Sequence, residues 1–199
     1  SFIVDSAKPA ILEMINYVVK DNSESAALIV WLDQTDFWAA PASTRFHGNV
    51  KGGLAFHTFK VIEQCLIFAK PILENFYKSP LAKEYNISVT DIFIAALAHD
   101  IKKQGNNNTG SHTVWEHPEL AYNYILETQK ANANLISVED ATIIANAILC
   151  HMGKWQHDPQ FTRGKKAFPL PTTLFDYAVQ SADYMASRVE LTGFAFRPT

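Results

Sequence analysis

A histidine and an aspartate stand side by side at the end of an apolar run, at His99 and Asp100. Asp100 lies four residues after Ala96 and eleven after Val89, which places it on the same helix face as these two apolar residues. An ionised carboxylate on an apolar face is costly unless a partner compensates its charge, and a bound cation is a frequent partner. The pair is therefore a candidate metal-binding position.

A metal site needs more than one pair of ligands, and other segments bring the same residue types to apolar helix stripes or to a helix start. These residues are His57, His117, His151 and Asp183. Imidazole and carboxylate groups are nitrogen and oxygen donors that divalent cations accept, and the absence of cysteine from the set argues against a thiolate zinc site. The spacing alone predicts a metal site to which several helices contribute.

Helices must position these residues, because apolar side chains recur at three- and four-residue spacing in the segments that carry them. Ser88 with Asp91 and Ser137 with Asp140 have the S-x-x-D spacing of helix starts. No segment shows the sustained alternation of a strand. An all-α fold is expected, a single bundle of about seven to nine helices. Two helices are expected at 9–19 and at about 23–33, one from 88 that ends by 105, and one from 137 to about 152. Three more are expected to begin at about 54, at 117 and at 172 or 173. Long loops are expected at 37–53 and 154–171.

Length and composition set the broad class. The chain has 199 residues, 48% of them hydrophobic and 19% charged, which is typical of one globular domain with a full core. Its net charge of −3 argues against a broadly basic nucleic-acid surface. Cys65 and Cys150 lie in apolar helical patterns, which predicts buried free thiols. No apolar run approaches the roughly 20 residues of a membrane span and no charged-then-apolar leader is found, so we expect a cytoplasmic protein without a membrane partner.

The order of the candidate ligands resembles the HD-domain superfamily of metal-dependent phosphohydrolases. The resemblance covers about residues 45–190, so we expect one domain of this type over residues 1–199 with its core at about 45–190. The segment FHGNVKGGLAFHT is similar to bacterial 3′→5′ exoribonucleases of this superfamily and to many uncharacterised bacterial and phage hydrolases. The matching phrases are GGLAFHT at 52–58, ALAHDIKK at 96–103, HPELAYNYI at 117–125, LCHMG at 149–153 and SADYMAS at 181–187.

The resemblance also implies a role for each candidate ligand. The cofactor it implies is a divalent transition metal, one or two ions of Mn, Fe, Ni, Co or Zn. A first ion would be held by His57, His99, Asp100 and Asp183. His117 and His151 match the additional histidines of the two-metal members, in which Asp100 would bridge the two ions.

Two lysines follow the histidine-aspartate pair. Lys102 stands where the family often has glycine, and this is a departure from its pattern. Lys103 matches the phosphate-contacting lysine of the family. Because Lys103 follows His99 by four residues, it would share the face of that residue on a continuing helix.

Bound metal lowers the pKa of water toward neutrality, so that hydroxide attacks phosphorus in line. On this hypothesis Asp100 orients the water or bridging hydroxide, and Lys103 stabilises charge on the phosphoryl group. The candidates for substrate contact are Arg45, His47 and Lys51. The basic residues Arg163, Lys165 and Lys166 form either a lid over a phosphate or an ordinary basic loop.

The expected activity is hydrolysis of a phosphoester of a nucleotide or short oligonucleotide, so that the partner is a phosphorylated small molecule or a short nucleic acid. The negative net charge favours small substrates, whereas the resemblance to the exoribonucleases favours diesters. Two alternatives stay open. A few members of the superfamily run di-iron oxygen chemistry on the same ligand set, and a metal-binding interaction module would need no catalysis.

Overall fold

The computed structural model describes residues 5–19, 30, 32–43, 48–77, 88–131, 133 and 136–195. Within these ranges the regular secondary structure is helical and no strand occurs, which confirms the all-α prediction. The six long helices there are slightly fewer than the seven to nine predicted, and most of the helix predicted at about 23–33 lies outside the described residues. The helices are α1 (Ala7–Val18), α2 (Gly53–Gln64, continued by a π-helical turn, Cys65–Ala69, and by Lys70–Tyr77), α3 (Val89–Ala98), α4 (His117–Ala131), α5 (Val138–Leu149) and α6 (Leu174–Ala195).

Local side-chain chemistry fixes the starts of α3 and α5. The Ser88 Oγ accepts a hydrogen bond from the backbone N–H of Asp91 at 3.2 Å, and the Asp91 carboxylate accepts one from the Ser88 N–H at 2.8 Å. The Ser137 Oγ accepts a hydrogen bond from the Asp140 N–H at 3.1 Å. These contacts satisfy backbone donors that have no partner inside a helix. Both helices therefore begin where the sequence predicted.

Helix α3 forms the centre of the molecule. Its side chains from Asp91 onward are buried, and burial continues through Ile101 in the turns that follow. A helix that is apolar on all sides belongs inside a core, and α3 contacts α2, α5 and α6, while α1 packs on α2 and α4 packs on α5. The carboxyl end of α3 therefore emerges among the helices that carry the other candidate ligands.

The helix does not continue to Lys103, and this part of the sequence prediction is wrong. Helix α3 ends at Ala98, and residues 99–104 form successive turns. The backbone N–H of Ile101 bonds to the Ala98 carbonyl at 3.1 Å, and the N–H of Lys103 bonds to the Asp100 carbonyl at 2.8 Å. These bonds join residues three apart rather than four, which tightens the chain immediately after α3.

The buried side chain of Asn108 holds these turns together. Its Oδ1 accepts a hydrogen bond from the Gln104 N–H at 3.0 Å, and its Nδ2 donates to the Ile101 carbonyl at 2.5 Å. The same Nδ2 lies 3.2 Å from the Thr35 Oγ1. Asn108 has a positive φ of 53°, a conformation that asparagine tolerates better than most residues. A contact to a distant segment thus sets the geometry after α3.

The segment predicted as a long loop at 154–171 contains helical turns. A 3-10 helix spans Gly153–His157, and a short α-helix spans Pro159–Thr162. The buried side chain of Gln156 joins the 3-10 helix to the end of the segment. Its Nε2 donates to the Pro169 carbonyl at 2.9 Å, and its Oε1 accepts from the Phe168 N–H at 2.6 Å. Among the described residues, no helix combines the length and apolar character that crossing a membrane requires.

Candidate metal centre

Six side chains from separate parts of the fold converge into two neighbouring groups. The first group contains His57 from α2, His99 from the end of α3 and Asp183 from α6. Within each group the possible ligand atoms lie within 4.8 Å of one another. The second group contains Asp100, His117 and His151.

The first group has short distances between its ligand atoms. The Nε2 of His57 lies 3.0 Å from the Asp183 Oδ1 and 3.2 Å from the Nε2 of His99. The Nε2 of His99 lies 3.7 Å from the same Asp183 oxygen. Two imidazole nitrogens and one carboxylate oxygen therefore point toward one position between α2, α3 and α6.

Asp100 stands between the two groups. Its Oδ1 lies 3.1 Å from the Nε2 of His117 and 3.2 Å from the Nε2 of His151. Its Oδ2 lies 3.4 Å from the Nε2 of His99 and 3.7 Å from the Nε2 of His57. One carboxylate oxygen thus faces each histidine pair, which is the arrangement that a ligand shared by two ions requires.

Backbone carbonyls determine the protonation of three of the histidines. Each Nδ1 lies 2.6 to 2.7 Å from the carbonyl oxygen three residues earlier in the chain. Because a carbonyl only accepts hydrogen bonds, each of these Nδ1 atoms donates a proton to its carbonyl, and Nε2 is the ring nitrogen that faces the other candidate ligands. The pairs are His99 with Ala96, His117 with Val114, and His151 with Ile148.

These carbonyl contacts depend on where the helices end. Helix α3 ends just before His99 and α5 ends two residues before His151. Carbonyls in the last turn of a helix have no donor inside the helix, so they are free to accept from a ring nitrogen. The sequence reasoning missed this function of the Ala96 and Ile148 carbonyls. The position of each histidine at a helix terminus is the sequence feature that could have predicted these contacts.

The Nε2 of His117 shows that the donor set suits a cation. This buried atom has no hydrogen-bond partner of acceptable geometry, although it lies 3.1 Å from the Asp100 Oδ1. With its proton on Nδ1, the ring turns a lone pair toward an anionic oxygen, and a buried acceptor without a donor costs about 1–3 kcal/mol. A cation bound by both atoms removes this cost. Four imidazoles and two carboxylates without a thiolate fit a divalent transition metal.

The electrostatics hold the carboxylates ionised. Burial alone would raise the pKa of Asp100, but the ammonium of Lys103 and the imidazoles around the carboxylate hold that pKa well below its usual range. For Asp183, burial is likewise outweighed by the side-chain hydrogen bond from His57, which lowers the pKa. Both groups are therefore anionic at neutral pH, as metal ligands must be.

His117 is held in the neutral form. Burial, together with the positive charge of Lys103, lowers the pKa of His117 to about 4, even though the carboxylate of Asp100 acts in the opposite direction. A neutral imidazole has a lone pair to donate, whereas an imidazolium has none. The protein thus keeps this ring in its ligand form at neutral pH.

The two lysines after Asp100 point to different surroundings. The Nζ of Lys103 reaches back to both oxygens of Asp100, at 3.1 Å from Oδ1 and 2.9 Å from Oδ2. The Nζ of Lys102 donates to the Asn106 carbonyl at 2.5 Å and lies 3.9 Å from the centre of the Tyr124 ring. Among the described residues Lys102 is not one of those with a positive φ, so its backbone conformation does not require the glycine that the family often has there.

The residues predicted to contact the substrate are only partly described. Arg45 and His47 lie outside the described residues, and Lys51 is exposed just before α2. The chain packs tightly between Gly48 and Gly53, because a Cβ on Gly53 would collide with the Gly48 carbonyl oxygen. Gly48 itself has a φ of 64°. These two glycines let the loop close against the start of the helix that carries His57.

The basic segment is docked against the start of α4. The Nζ of Lys166 pairs with the Glu119 carboxylate at 2.9 Å, and Lys165 lies 5.4 Å from the centre of the Trp115 ring. Trp115 also donates from Nε1 to the Lys166 carbonyl at 2.8 Å. Arg163 is exposed. The segment therefore lies beside the residues that flank His117, and the sequence reasoning had missed Trp115 as its anchor.

This chain is all-helical in its described residues, and its histidines and aspartates meet where several helices converge. These features are typical of a class of helical metal-binding proteins. The family model described as HD domain matches residues 57–188, from the first candidate ligand to just beyond the last. The chain therefore belongs to the HD domain family, which is a superfamily of metal-dependent phosphohydrolases. The comparison with curated proteins gave no match, and the comparison with solved structures gave none.

Proposed function

We propose that this protein hydrolyses a phosphoester of a nucleotide or short oligonucleotide, using water activated by one or two divalent transition metal ions. The observation that carries the proposal is the position of Asp100. Its two oxygens face separate histidine pairs at 3.1 to 3.7 Å. Such a carboxylate suits a site in which two cations act on one phosphoryl group.

The ligand roles follow from the two groups. His57, His99 and Asp183 would hold one ion, and Asp100 would be shared with the second. His117 and His151 would complete the second position. Bound divalent ions supply a water of lowered pKa and positive charge for the phosphoryl oxygens.

The chain's own residues supply the remaining chemistry. Asp100 is ionised and lies between the two proposed ion positions, so its carboxylate would orient a water bound there. The Lys103 side chain is 14% exposed and borders that carboxylate, whose own exposure is 2%. The ammonium therefore lies on the solvent side of Asp100, where it would stabilise charge on an incoming phosphoryl group.

The net charge of the chain supports a small substrate. At −3 the protein lacks the broad positive field that long nucleic acids need, so phosphate recognition falls to local groups. We assign Lys51, together with Arg45 and His47, to substrate contact. Lys51 is exposed at the start of the helix that carries His57.

An activity screen of metal-loaded protein tests the proposal. The protein is loaded separately with Mn, Fe, Ni, Co and Zn and is offered nucleoside monophosphates, cyclic nucleotides and short oligonucleotides. Release of phosphate or of a mononucleotide is expected, and Asp100→Asn should abolish it. Glu119→Gln is the matched control, because it neutralises a carboxylate that pairs with a lysine outside the cluster. Metal binding without hydrolysis of any phosphoester would contradict the proposal and favour oxygen chemistry or a binding module.

A further inference from the structure

Of the six candidate ligands, Asp183 is the one that meets solvent. Its side chain is 21% exposed, whereas the side chains of the other five ligands are at most 2% exposed. Solvent, and any substrate that arrives from it, therefore reaches the cluster beside α6. The residues of α6 that flank Asp183 are consequently placed to contact the part of a substrate that extends out of the site.

Gln180 stands beside Asp183 on α6. The two residues are three apart, so their side chains are neighbours on the helix surface, separated by about 4.5 Å along its axis. The amide of Gln180 also packs on the backbone of Gly153, because a Cβ at Gly153 would lie 3.0 Å from the Nε2 and 3.2 Å from the Cδ of Gln180. Gly153 follows His151 by two residues. Gln180 therefore lies between the helix that carries Asp183 and the segment that carries His151.

The amide of Gln180 is available to a ligand. The residue is half-buried, and within the part of the chain that the structure describes its side chain has no hydrogen-bond partner. Among the described residues, the buried side-chain atoms without a partner belong to Thr58 and His117, so solvent reaches the polar atoms of Gln180. A donor and an acceptor therefore stand open beside the exposed ligand of the metal centre.

The chemistry of a carboxamide indicates which part of a substrate it suits. A phosphoryl group offers only acceptors, and in the proposed function the bound cations and Lys103 supply its positive partners. A carboxamide is neutral and offers a donor next to an acceptor. The edge of a nucleobase offers the complementary pair, as in the two hydrogen bonds that glutamine makes to N6 and N7 of adenine. Gln180 therefore suits a base better than it suits the phosphate.

We propose that Gln180 is a specificity-determining residue that hydrogen-bonds the edge of a nucleobase while the metal centre holds the phosphoryl group of the same molecule. The ribose between the two parts spans the single helix turn from Asp183 to Gln180. Gly153 leaves room for the amide, because it has no side chain where Gln180 lies. This inference rests on the proposed function and names the base as the part of the substrate that is recognised.

Binding of analogues that cannot be hydrolysed tests the proposal. Zn²⁺-loaded protein is titrated by calorimetry with the 5′-methylenephosphonates of adenosine, guanosine, cytidine and uridine, and with the same ribose phosphonate lacking a base. Wild type should bind at least one nucleoside analogue more tightly than the base-free analogue. Gln180→Met keeps the length of the side chain but cannot form these hydrogen bonds. It should weaken binding of that nucleoside analogue by roughly ten- to a hundredfold and leave the base-free analogue unchanged.

A second glutamine provides the matched control. Gln129 is also half-buried, but it lies twelve residues after His117 on α4, about 18 Å along the helix. Gln129→Met should bind every analogue as wild type does, and elemental analysis should find the same metal content in all three proteins. Equal weakening of the nucleoside and base-free analogues in Gln180→Met, or no weakening of either, would overturn the proposal.

Measurements without Gln180→Met cover the case in which that variant fails to fold. Equal affinity of wild type for all five analogues would overturn the proposal. In wild type labelled with ¹⁵N-glutamine, the side-chain amide signal of Gln180 is identified by its absence in Gln180→Asn. This signal should shift strongly with the nucleoside analogue that binds best and little with the base-free analogue. Shifts of equal size with both, or no shift with either, would contradict a contact to the base.

The failure of this proposal is distinguishable from the failure of the phosphohydrolase assignment. Base binding that depends on Gln180, in a protein that cleaves no phosphoester, supports the contact and removes the proposed reaction. Cleavage of nucleotides and of ribose 5-phosphate with equal kcat/KM keeps the reaction and overturns the contact. A protein that binds none of the analogues and cleaves no phosphoester would overturn both.

Discussion

Because the folded chain keeps His117 neutral, the protonation of this one ring affects the free energy of unfolding of the whole chain. Its imidazole is buried, donates from Nδ1 to the Val114 carbonyl and turns Nε2 toward Asp100. Burial and the charge of Lys103 lower its pKa to about 4, against an ordinary value of 6.5. Between these two values the unfolded chain binds a proton at this residue that the folded chain does not.

Acidification should therefore destabilise the metal-free protein from about pH 6.5 downward. Because the folded pKa lies below the unfolded one, stability falls as pH falls through this window, and the shift corresponds to roughly 3 kcal/mol for one group. The lowered pKa values of Asp100 and Asp183 add losses at more acidic pH. Urea unfolding of chelator-treated protein at several pH values between 4 and 7.5 measures the slope.

Substitution separates His117 from the other titrating groups. His117→Gln should flatten the dependence of the free energy of unfolding on pH between about 4 and 6.5, because glutamine does not titrate. His112→Gln, at an exposed histidine, should leave the wild-type dependence unchanged. An identical slope in wild type and His117→Gln would show that the ring is not held neutral by the fold.

At the scale of helices, the start of α3 was predictable and its end was not. The S-x-x-D signal at Ser88 depends on residues three apart, so the sequence contains all of its information. The end of α3 depends on Asn108, whose side chain bonds to Ile101 and to the distant Thr35. No local pattern encodes that contact. The prediction that α3 extends to Lys103 is wrong for this reason.

The capping serine should contribute a modest, local stability. Ser88→Ala removes the acceptor for the Asp91 N–H and should lower the free energy of unfolding by about 1 kcal/mol, a typical cost for losing a helix cap. Thr142→Ala is the control, because its exposed hydroxyl bonds within α5 to the Val138 carbonyl and caps no helix start. Denaturant unfolding of the three proteins gives the comparison. Equal losses in the two variants would argue against a specific contribution of the cap.

The turns held by Asn108 should matter for metal affinity as well as for stability. Asn108→Ala leaves the buried Gln104 N–H without its acceptor and strains a residue of positive φ, so a loss of about 2–3 kcal/mol is expected. Those turns carry Asp100 and Lys103, so weaker metal binding should accompany the loss. Unfolding and metal titration measure the two effects. Gln160→Ala, at an exposed residue of the short helix Pro159–Thr162, should change neither.

At the scale of the molecule, the candidate site joins segments that are far apart in the chain. His57 and Asp183 stand near the two ends of the family match, yet their ligand atoms lie 3.0 Å apart. The sequence predicted the residue types and the helix faces, since both follow from spacing. The division into two groups around Asp100 was expected only from the family resemblance, because spacing alone does not show how α3 sits against α2, α5 and α6.

Because folding brings these ligands together, bound metal should stabilise the folded chain. An ion held only by the folded state contributes about 2.7 kcal/mol when its concentration is a hundred times its dissociation constant. For a chain of 199 residues this corresponds to a rise in Tm of roughly 5–10 °C. Differential scanning fluorimetry before and after chelation, and after adding back Mn²⁺ or Zn²⁺, measures the shift.

Asp183→Asn tests whether that stabilisation comes from the cluster. The change keeps the shape of the side chain but removes the anionic oxygen that lies 3.0 Å from His57, so most of the metal-dependent rise in Tm should disappear. Glu13→Gln neutralises an exposed carboxylate on α1 and should retain the full rise. A rise of equal size in wild type and Asp183→Asn would place the stabilising ion elsewhere on the protein. A rise confined to proteins with an intact cluster is the outcome that the convergence of α2, α3 and α6 on one position predicts.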